Sequence, residues 1–422
     1  MLSKSTAVDL LKIKSLRLLL WVSVIFLSTS CIRDKKDVIR FSSWQSNPSE
    51  KRLTDSLLQT FAKKYPESKV KFELIPGNYS EKIQLMLGTH SAPQVFYIKD
   101  WVAPSYLRYD VLQPLNEFIE NDSSFDLPDF YPQFVEAFTR KGKIYGIPKD
   151  FGAFVLFYNE DMFRAAGLTR PPKDWAELEE FSKKLTIDTD GDGKIDQYGM
   201  VVEPSIDKLM PFVFQNLGGF QDKDGNLMVN TPEFAGALEF YYGLYKKNIA
   251  TIPSEVSMNS TEEVFGRKRA AMLVSGGWFL PQLKDQYADV NYKVAFLPKG
   301  KQMATIAFTV SYSSAKENPL KAETWKLLSY LTGKEGMKVW TGTGIAMPTR
   351  KSVAEELGYI NHPLYKYFMG SVEFAKVFQV DYNERWYSIT QSALQSVFYE
   401  QADIRQTLKQ METDIKPLKI KN

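Results

Sequence analysis

The sequence predicts an α/β protein built as two lobes, and three observations carry that expectation: the length of the chain, the order of its apolar patterns and its ordinary composition. At 422 residues the chain exceeds what one hydrophobic core encloses, since single cores stop growing near about 250–300 residues. From residue 38 onward, period-two strand patterns alternate with helix-period patterns, an order that yields mainly parallel sheets flanked by helices. Hydrophobic residues at 44% and charged residues at 24% exclude a disordered chain, a coiled coil and a multi-span membrane protein.

Residues 1–30 read as an export signal. Lys4, Lys12, Lys14 and Arg17 precede the apolar run Leu18 to Leu27, which is about half the length a membrane span needs. Ser28, Thr29 and Ser30 then lead into Cys31, the only cysteine in the chain. The stretch FLSTSC resembles a bacterial lipoprotein signal, in which the cysteine is lipidated and becomes the new N-terminus. Acyl chains there, at about 0.8 kcal/mol per CH₂, would hold the protein on a membrane surface. The alternative is a cleaved, soluble export in which Cys31 is incidental. A single cysteine also excludes an intramolecular disulfide, a cysteine-based zinc site and an iron–sulfur cluster.

After a charged tether at residues 31–37, residues 38–42 (VIRFS) form the first expected strand. Glu50 to Tyr65 follows as a helix with Leu53, Leu57, Leu58 and Phe61 on one face, stopped by Pro66. KVKFELIP alternates as a second strand, a helix runs from Tyr79 through Met86, and PQVFYIK is a third strand. Helices are expected from about Asp174 to Leu185, from Pro232 to Tyr245, and over 321–338 and 388–416; Trp325, Leu328 and Leu331 share one face of the third. Two short apolar segments that each carry a proline, IYGIPK (144–149) and VAFLP (294–298), read as crossings between lobes.

The formal net charge of +3 comes wholly from residues 1–30, which leaves 49 basic residues against 49 acidic ones. Such a neutral body lacks the basic face that nucleic acids or acidic lipids require. Catalytic motifs are sparse. With His90 and His362 as the only histidines there is no HExxH helix and little room for a Ser–His–Asp arrangement. No phosphate-cradling GxxxxGK[ST] loop occurs, and the GxG of TGTGIAMP follows a helix and lacks the third glycine, so it reads as a loop. No particular carboxylate pair is nominated for glycoside hydrolysis.

The stretch DTDGDGKID is more specific, because carboxylates at alternate positions followed by glycine suit a hard cation. Asp188, Asp190 and Asp192 would ligate at positions one, three and five, Gly193 would provide the sharp turn, Lys194 would ligate through its carbonyl, and Asp196 at position nine. Position twelve is Gly199, so the loop lacks one ligand; Ca²⁺ as a structural ion and a solvated acidic turn are both open readings. Trp44, Trp101, Trp278 and Trp386 lie in loops or at helix starts rather than inside apolar runs. Aromatic faces beside a few carboxylates suit the C–H faces and hydroxyls of sugars.

The segments FAKKYPESKV, PQVFYIKD, DVLQPL and GKIYGIPKDFGAFVLFYNEDMFRAAGLTRPPKDWAELEEF occur in order, followed by FGRKRAAMLVSGGWF, LPKG, SSAKENPLKAETWKLLSYLT and GIAMPTR. Together, from about Val38 to Leu418, they resemble the extracellular solute-binding lipoproteins of bacterial ABC importers, in the branch related to maltose-binding proteins. The resemblance implies a two-lobed periplasmic-binding-protein fold, hinged at the crossings, with a ligand in the cleft between lobes and no chemistry performed on it. One lobe is expected to comprise 38–147 and 299–355, the other 148–298 and 356–422. By the same resemblance Trp278 and Trp386 face the cleft from the second lobe. Trp44, Asp100 and Trp101 face it from the first, just beyond strand carboxyl ends; Tyr79, Asp150 and Tyr387 are further candidates. The expected partners are a small solute, a sugar or a related molecule, the transmembrane subunits of an ABC permease, and a membrane reached through the N-terminal lipid. A monomer is expected, with no cofactor beyond the calcium ion and no nucleic acid. The competing function is a secreted carbohydrate-active hydrolase or lyase, and a calcium-dependent adhesion protein is a third class.

Overall fold

Strand Val38–Ser43 turns Ile39 and Phe41 into the core by simple alternation, which fixes its register. It pairs in parallel with Lys69–Leu74 on one side and with Val95–Lys99 on the other. Beyond Val95–Lys99 lies the long antiparallel strand Thr305–Ser313, which also pairs with Gly146–Ala153 along its length and with Ala375–Val377 at its start. Helices Pro48–Lys64 and Tyr79–Gly88 cover this sheet through Leu57, Phe61, Ile83 and Leu87. The computed structural model describes residues 38–44 and 48–420; the expected signal peptide, Cys31 and the tether lie outside the described residues. No helix of the described residues is long and apolar enough to cross a membrane.

A second sheet runs in the order Tyr292–Ala295, Val155–Asn159, Ala270–Ser275, Tyr198–Val201, Ala250–Thr251. Its last three strands pair in parallel, and Val155–Asn159 is antiparallel to both of its neighbours. Helices Trp175–Lys184, Ile206–Gln215, Pro232–Lys246 and Arg385–Tyr399 pack on it through a core that includes Leu178, Leu209, Phe234 and Leu394. Asp174 caps the first of these helices by accepting from the Glu177 amide, while the Glu177 carboxylate accepts from the Lys173 amide, so two orphan donors at the helix start are satisfied.

The two sheets are joined almost without a linker. Phe154 alone separates Gly146–Ala153, in the first sheet, from Val155–Asn159, in the second. The ladder between Gly146–Ala153 and Thr305–Ser313 shifts register between Val310 and Ser311, opposite Asp150 and Pro148; Lys149 is the extra residue of a bulge, and Pro148, which has no N–H, is tolerated beside it.

The return crossing differs from the expectation. Val294 and Ala295 belong to the edge strand of the second sheet, and the chain passes back through Thr305–Ser313, with Ile306 buried in the second lobe's core and Tyr312 in the first's. VAFLP is apolar because that edge is covered, not because it bridges lobes. A third passage follows Ala375–Val377, after which Phe378 and Val380 enter the second core. Two expected long helices are each divided. Gly333 adopts an extended backbone between Lys321–Thr332 and Lys334–Thr341, and Gln401, with φ of 55°, lies between Arg385–Tyr399 and Ile404–Ile415.

Candidate functional site

The carboxyl ends of the parallel strands in both sheets meet across the join, where such folds bind ligands. From the first lobe come Trp44, after Val38–Ser43, and Lys99, Asp100 and Trp101, at the end of Val95–Lys99 and just beyond it. From the second come Glu203 and Asp207, after Tyr198–Val201, and Trp278, after Ala270–Ser275. The lobes touch here: Trp101 stacks on Tyr387 with centroids 5.8 Å apart and planes at 26°. Accordingly Trp101 packs against the cores of both lobes.

Trp278 is the most exposed of these aromatics, at 41%. Its ring meets Phe154 and Phe308, both on the crossing strands or between them, edge-on at 5.7 and 5.8 Å. A Cβ on Gly276 would lie 2.2 Å from the indole and one on Gly152 2.9 Å from it. Glycine at these positions is therefore what lets the indole lie on bare backbone. Beside this segment a hollow of about 680 Å³ opens between helix Pro48–Lys64 of the first lobe and helix Leu280–Gln286 of the second, lined by Leu53, Leu280, Tyr287, Tyr292 and Tyr365.

Four of the eight expected ligand-binding residues thus reach the join: Trp44, Trp101, Trp278 and Tyr387. The other four do not. Trp386 is 1% exposed, packed between Phe220 and Phe378. The reason is helical geometry, since Trp386, Thr390, Leu394 and Val397 form the core face of Arg385–Tyr399, and the next residue, Tyr387, points about 100° away. The Tyr79 hydroxyl donates to the Ser42 carbonyl and accepts from the Tyr97 amide, both at 3.0 Å, which pins it inside the first lobe. Asp150 Oδ2 accepts from Lys149 Nζ and Trp340 Nε1, each at 2.5 Å, so that oxygen is engaged within the lobe. Asp100 is 2% exposed and accepts from the backbone amides of Trp101 and Thr309. It positions Trp101 rather than presenting an oxygen to the join, and burial pushes its carboxyl up to about 8.

Charged groups that the sequence reading did not single out complete the site. Lys99 Nζ lies 4.9 Å from the Trp44 ring centroid and 5.9 Å from that of Trp101, and burial pushes its ammonium below the ordinary lysine range. Asp207 Oδ2 is 3.4 Å from the Tyr387 hydroxyl; burial raises its carboxyl, as it does that of Glu203. Lys208 Nζ donates to the Val274 carbonyl at 2.6 Å, sits 3.7 Å from Glu262 and lies over the Phe154 ring. Burial alone would raise Glu262, yet Lys208 and the Ser275 and Thr261 hydroxyls hold it below the usual carboxylate range. The strand-end rule that selected Asp100 and Trp101 applies equally to Lys99, whereas Asp207 lies in the first turn of helix Ile206–Gln215, after a strand the sequence reading does not place.

The acidic loop lies elsewhere, between helix Trp175–Lys184 and strand Tyr198–Val201. Carboxylate oxygens of Asp188, Asp190 and Asp196 come within 4.8 Å of one another, and Gly193 takes φ of +87°, the turn expected of it. Asp192 is outside this cluster: its Oδ1 accepts from the Lys194 amide at 2.7 Å and its Oδ2 is 3.5 Å from Lys194 Nζ. The oxygen-only donor set fits a hard cation, although both oxygens of Asp188 also accept from the Gly191 and Gly193 amides.

Comparison with known proteins places the chain. The family described as bacterial extracellular solute-binding protein matches residues 46–338. The sn-glycerol-3-phosphate-binding periplasmic protein of Salmonella typhimurium is 26% identical over 316 residues, covering 70% of this chain and 71% of its own. Among solved structures, an ABC substrate-binding protein from Listeria monocytogenes in complex with cycloalternan superposes with a TM-score of 0.80 at 23% identity, over 91% of this chain and 99% of that one. An ABC transporter solute-binding protein from Thermotoga lettingae bound with α-D-tagatose gives 0.79 at 22% identity, over 90% and 99%. The fold is therefore the two-lobed one that the sequence predicts.

Proposed function

Because the chain belongs to the bacterial extracellular solute-binding protein family, we propose that it captures a carbohydrate between its two lobes and delivers it to the permease of an ABC importer, from a lipid anchor at Cys31. The observation that carries the carbohydrate reading is the convergence of Trp44, Trp101, Trp278 and Tyr387 with half-buried charged groups at the join between lobes. Flat apolar faces match the C–H faces of a pyranose, and the interleaved acceptors and donors match its hydroxyls. Two structural neighbours are solved with carbohydrates, cycloalternan and tagatose, which supports the same class. The enzyme alternative has no such support, since the family's activity is binding.

A thermal-shift screen of the purified chain against a sugar library tests this reading. A ligand at 100 times its dissociation constant adds about 2.7 kcal/mol of stability, so at least one sugar is expected to raise the melting temperature clearly. A flat response to the whole library would overturn the carbohydrate assignment. The anchor has its own test: Cys31→Ala is expected to abolish incorporation of labelled fatty acid in a bacterial host, and persistent labelling would defeat it. For the acidic loop the reading is a structural calcium ion held by Asp188, Asp190 and Asp196, with no part in solute binding.

A further inference from the structure

The contacts at the join run in one chain, Trp44 to Lys99 to Trp101 to Tyr387 to Asp207, three rings and two charged groups passing from one lobe to the other. At its two charged members each lobe holds a group that forms no ion pair among the described residues. Among the described residues Lys99 forms no ion pair and no hydrogen bond through its ammonium; it rests on two indole faces. Among the described residues the Asp207 carboxylate makes one hydrogen-bond contact, 3.4 Å from the Tyr387 hydroxyl; the neighbouring Lys208 ammonium is directed to Val274 and Glu262. Beyond burial, Lys99 feels the charge of Asp100 and then of Asp207, and Asp207 feels that of Lys208 and then of Lys99. A half-buried ammonium and a half-buried carboxylate left apart in this way are costly unless something completes them.

We infer that Lys99 and Asp207 are a divided recognition pair that a single neutral, hydroxyl-bearing solute completes, accepting from Lys99 and donating to Asp207 through neighbouring hydroxyls. The inference rests on the solute-binding reading above and narrows it. A hydroxyl is both donor and acceptor, so adjacent hydroxyls satisfy both groups at once, whereas a phosphate or carboxylate satisfies Lys99 only. An anion would also face three second-lobe carboxylates, Glu203, Asp207 and Glu262, against the ammonium groups of Lys99 and Lys208. A phosphorylated sugar keeps adjacent hydroxyls, so it is the surplus of carboxylates around the pair that favours uncharged sugars over phosphorylated or acidic ones, a choice the aromatic walls cannot make.

The test is calorimetric titration of the purified chain, Lys99→Met and Asp207→Asn with glucose, tagatose, maltotriose, glucose 6-phosphate and sn-glycerol 3-phosphate. The wild type is expected to bind at least one neutral sugar about tenfold or more tighter than either phosphate ester. Each substitution is expected to weaken that sugar by about 10- to 100-fold with the ligand-free melting temperature unchanged or raised, and Asp207→Asn should narrow the gap to the phosphate esters. A wild type that prefers a phosphate ester, or substitutions that leave neutral-sugar affinity within about twofold, would overturn the pair while leaving solute binding intact. Absence of binding to all five probes would overturn the pair together with the carbohydrate reading on which it rests.

Discussion

Trp278 keeps 41% of its surface accessible and lies over Gly152 and Gly276, so its indole is held by contacts at the join and buries less area than a core tryptophan does. Trp278→Ala is expected to weaken solute binding by roughly 1–3 kcal/mol with a small change in melting temperature, whereas Trp386→Ala, at 1% exposure, should cost about 3–5 kcal/mol of stability. Denaturant unfolding and titration of the two variants distinguish these outcomes; a large stability loss at Trp278 would contradict the placement. Asp100 supplies a second prediction at this scale. Its folded carboxyl titrates near 8 while an unfolded aspartate titrates near about 4. Between those values the unfolded chain has released a proton that the folded one keeps, so this group's effect is a loss of stability as pH rises through the window. Asp100→Asn should therefore lose less melting temperature than the wild type on going from pH 5 to pH 8. Equal slopes would show that Asp100 is ionised in the fold. These residues also mark what was legible in advance: the strand-end rule reaches Trp44 and Trp101, but no pattern in a single sequence says that Asp150 is claimed by Lys149 and Trp340, because those partners arrive from the bulge and from a helix far along the chain.

At the scale of elements, local chemistry was readable wherever a segment carries its own signal. Asp174 before a helix, Pro66 after one, and the alternation of Val38–Ser43 are properties of a few adjacent residues. Crossings are not of that kind: VAFLP and TIAFTVSYS are both apolar, and only their pairing partners, Val155–Asn159 for one and Val95–Lys99 with Gly146–Ala153 for the other, decide which joins the lobes. The loop from Asp188 to Asp196 is an intermediate case, since its turn at Gly193 was legible while the diversion of Asp192 to Lys194 was not. Three carboxylates gathered on an exposed loop repel one another unless a cation lies among them. Calcium is therefore expected to raise the melting temperature of the purified chain, a chelator to lower it, and Asp190→Asn to remove the difference. Identical melting curves with calcium and with chelator would leave the loop a solvated turn.

Across the whole molecule, each lobe has a core, a third buried cluster joins Phe134, Phe151 and Met347 to Phe157 and Leu273 of the second sheet, and the lobes are further held by a pair of long antiparallel strands and by contacts at the join. Besides the Trp101–Tyr387 stack, Arg108 ends helix Ala103–Arg108 in the first lobe and reaches the segment that follows the third passage, with Nη2 2.5 Å from Asp381 and Nη1 2.6 Å from the Ile420 carbonyl. Such contacts weight the equilibrium between open and closed arrangements, because a contact made in one arrangement and lost in the other shifts their populations by its own free energy. Apparent affinity follows, since a solute that needs the closed lobes binds in proportion to the fraction already able to close. Arg108→Ala leaves the aromatic walls and the Lys99–Asp207 pair untouched. It is expected to increase the radius of gyration of the ligand-free protein in solution scattering and to weaken sugar binding by about threefold to tenfold, while saturating sugar restores the compact dimensions of the wild type. If scattering and affinity both match the wild type, Arg108 holds a part of the join that does not move, and the hinge is confined to the crossing strands around Phe154.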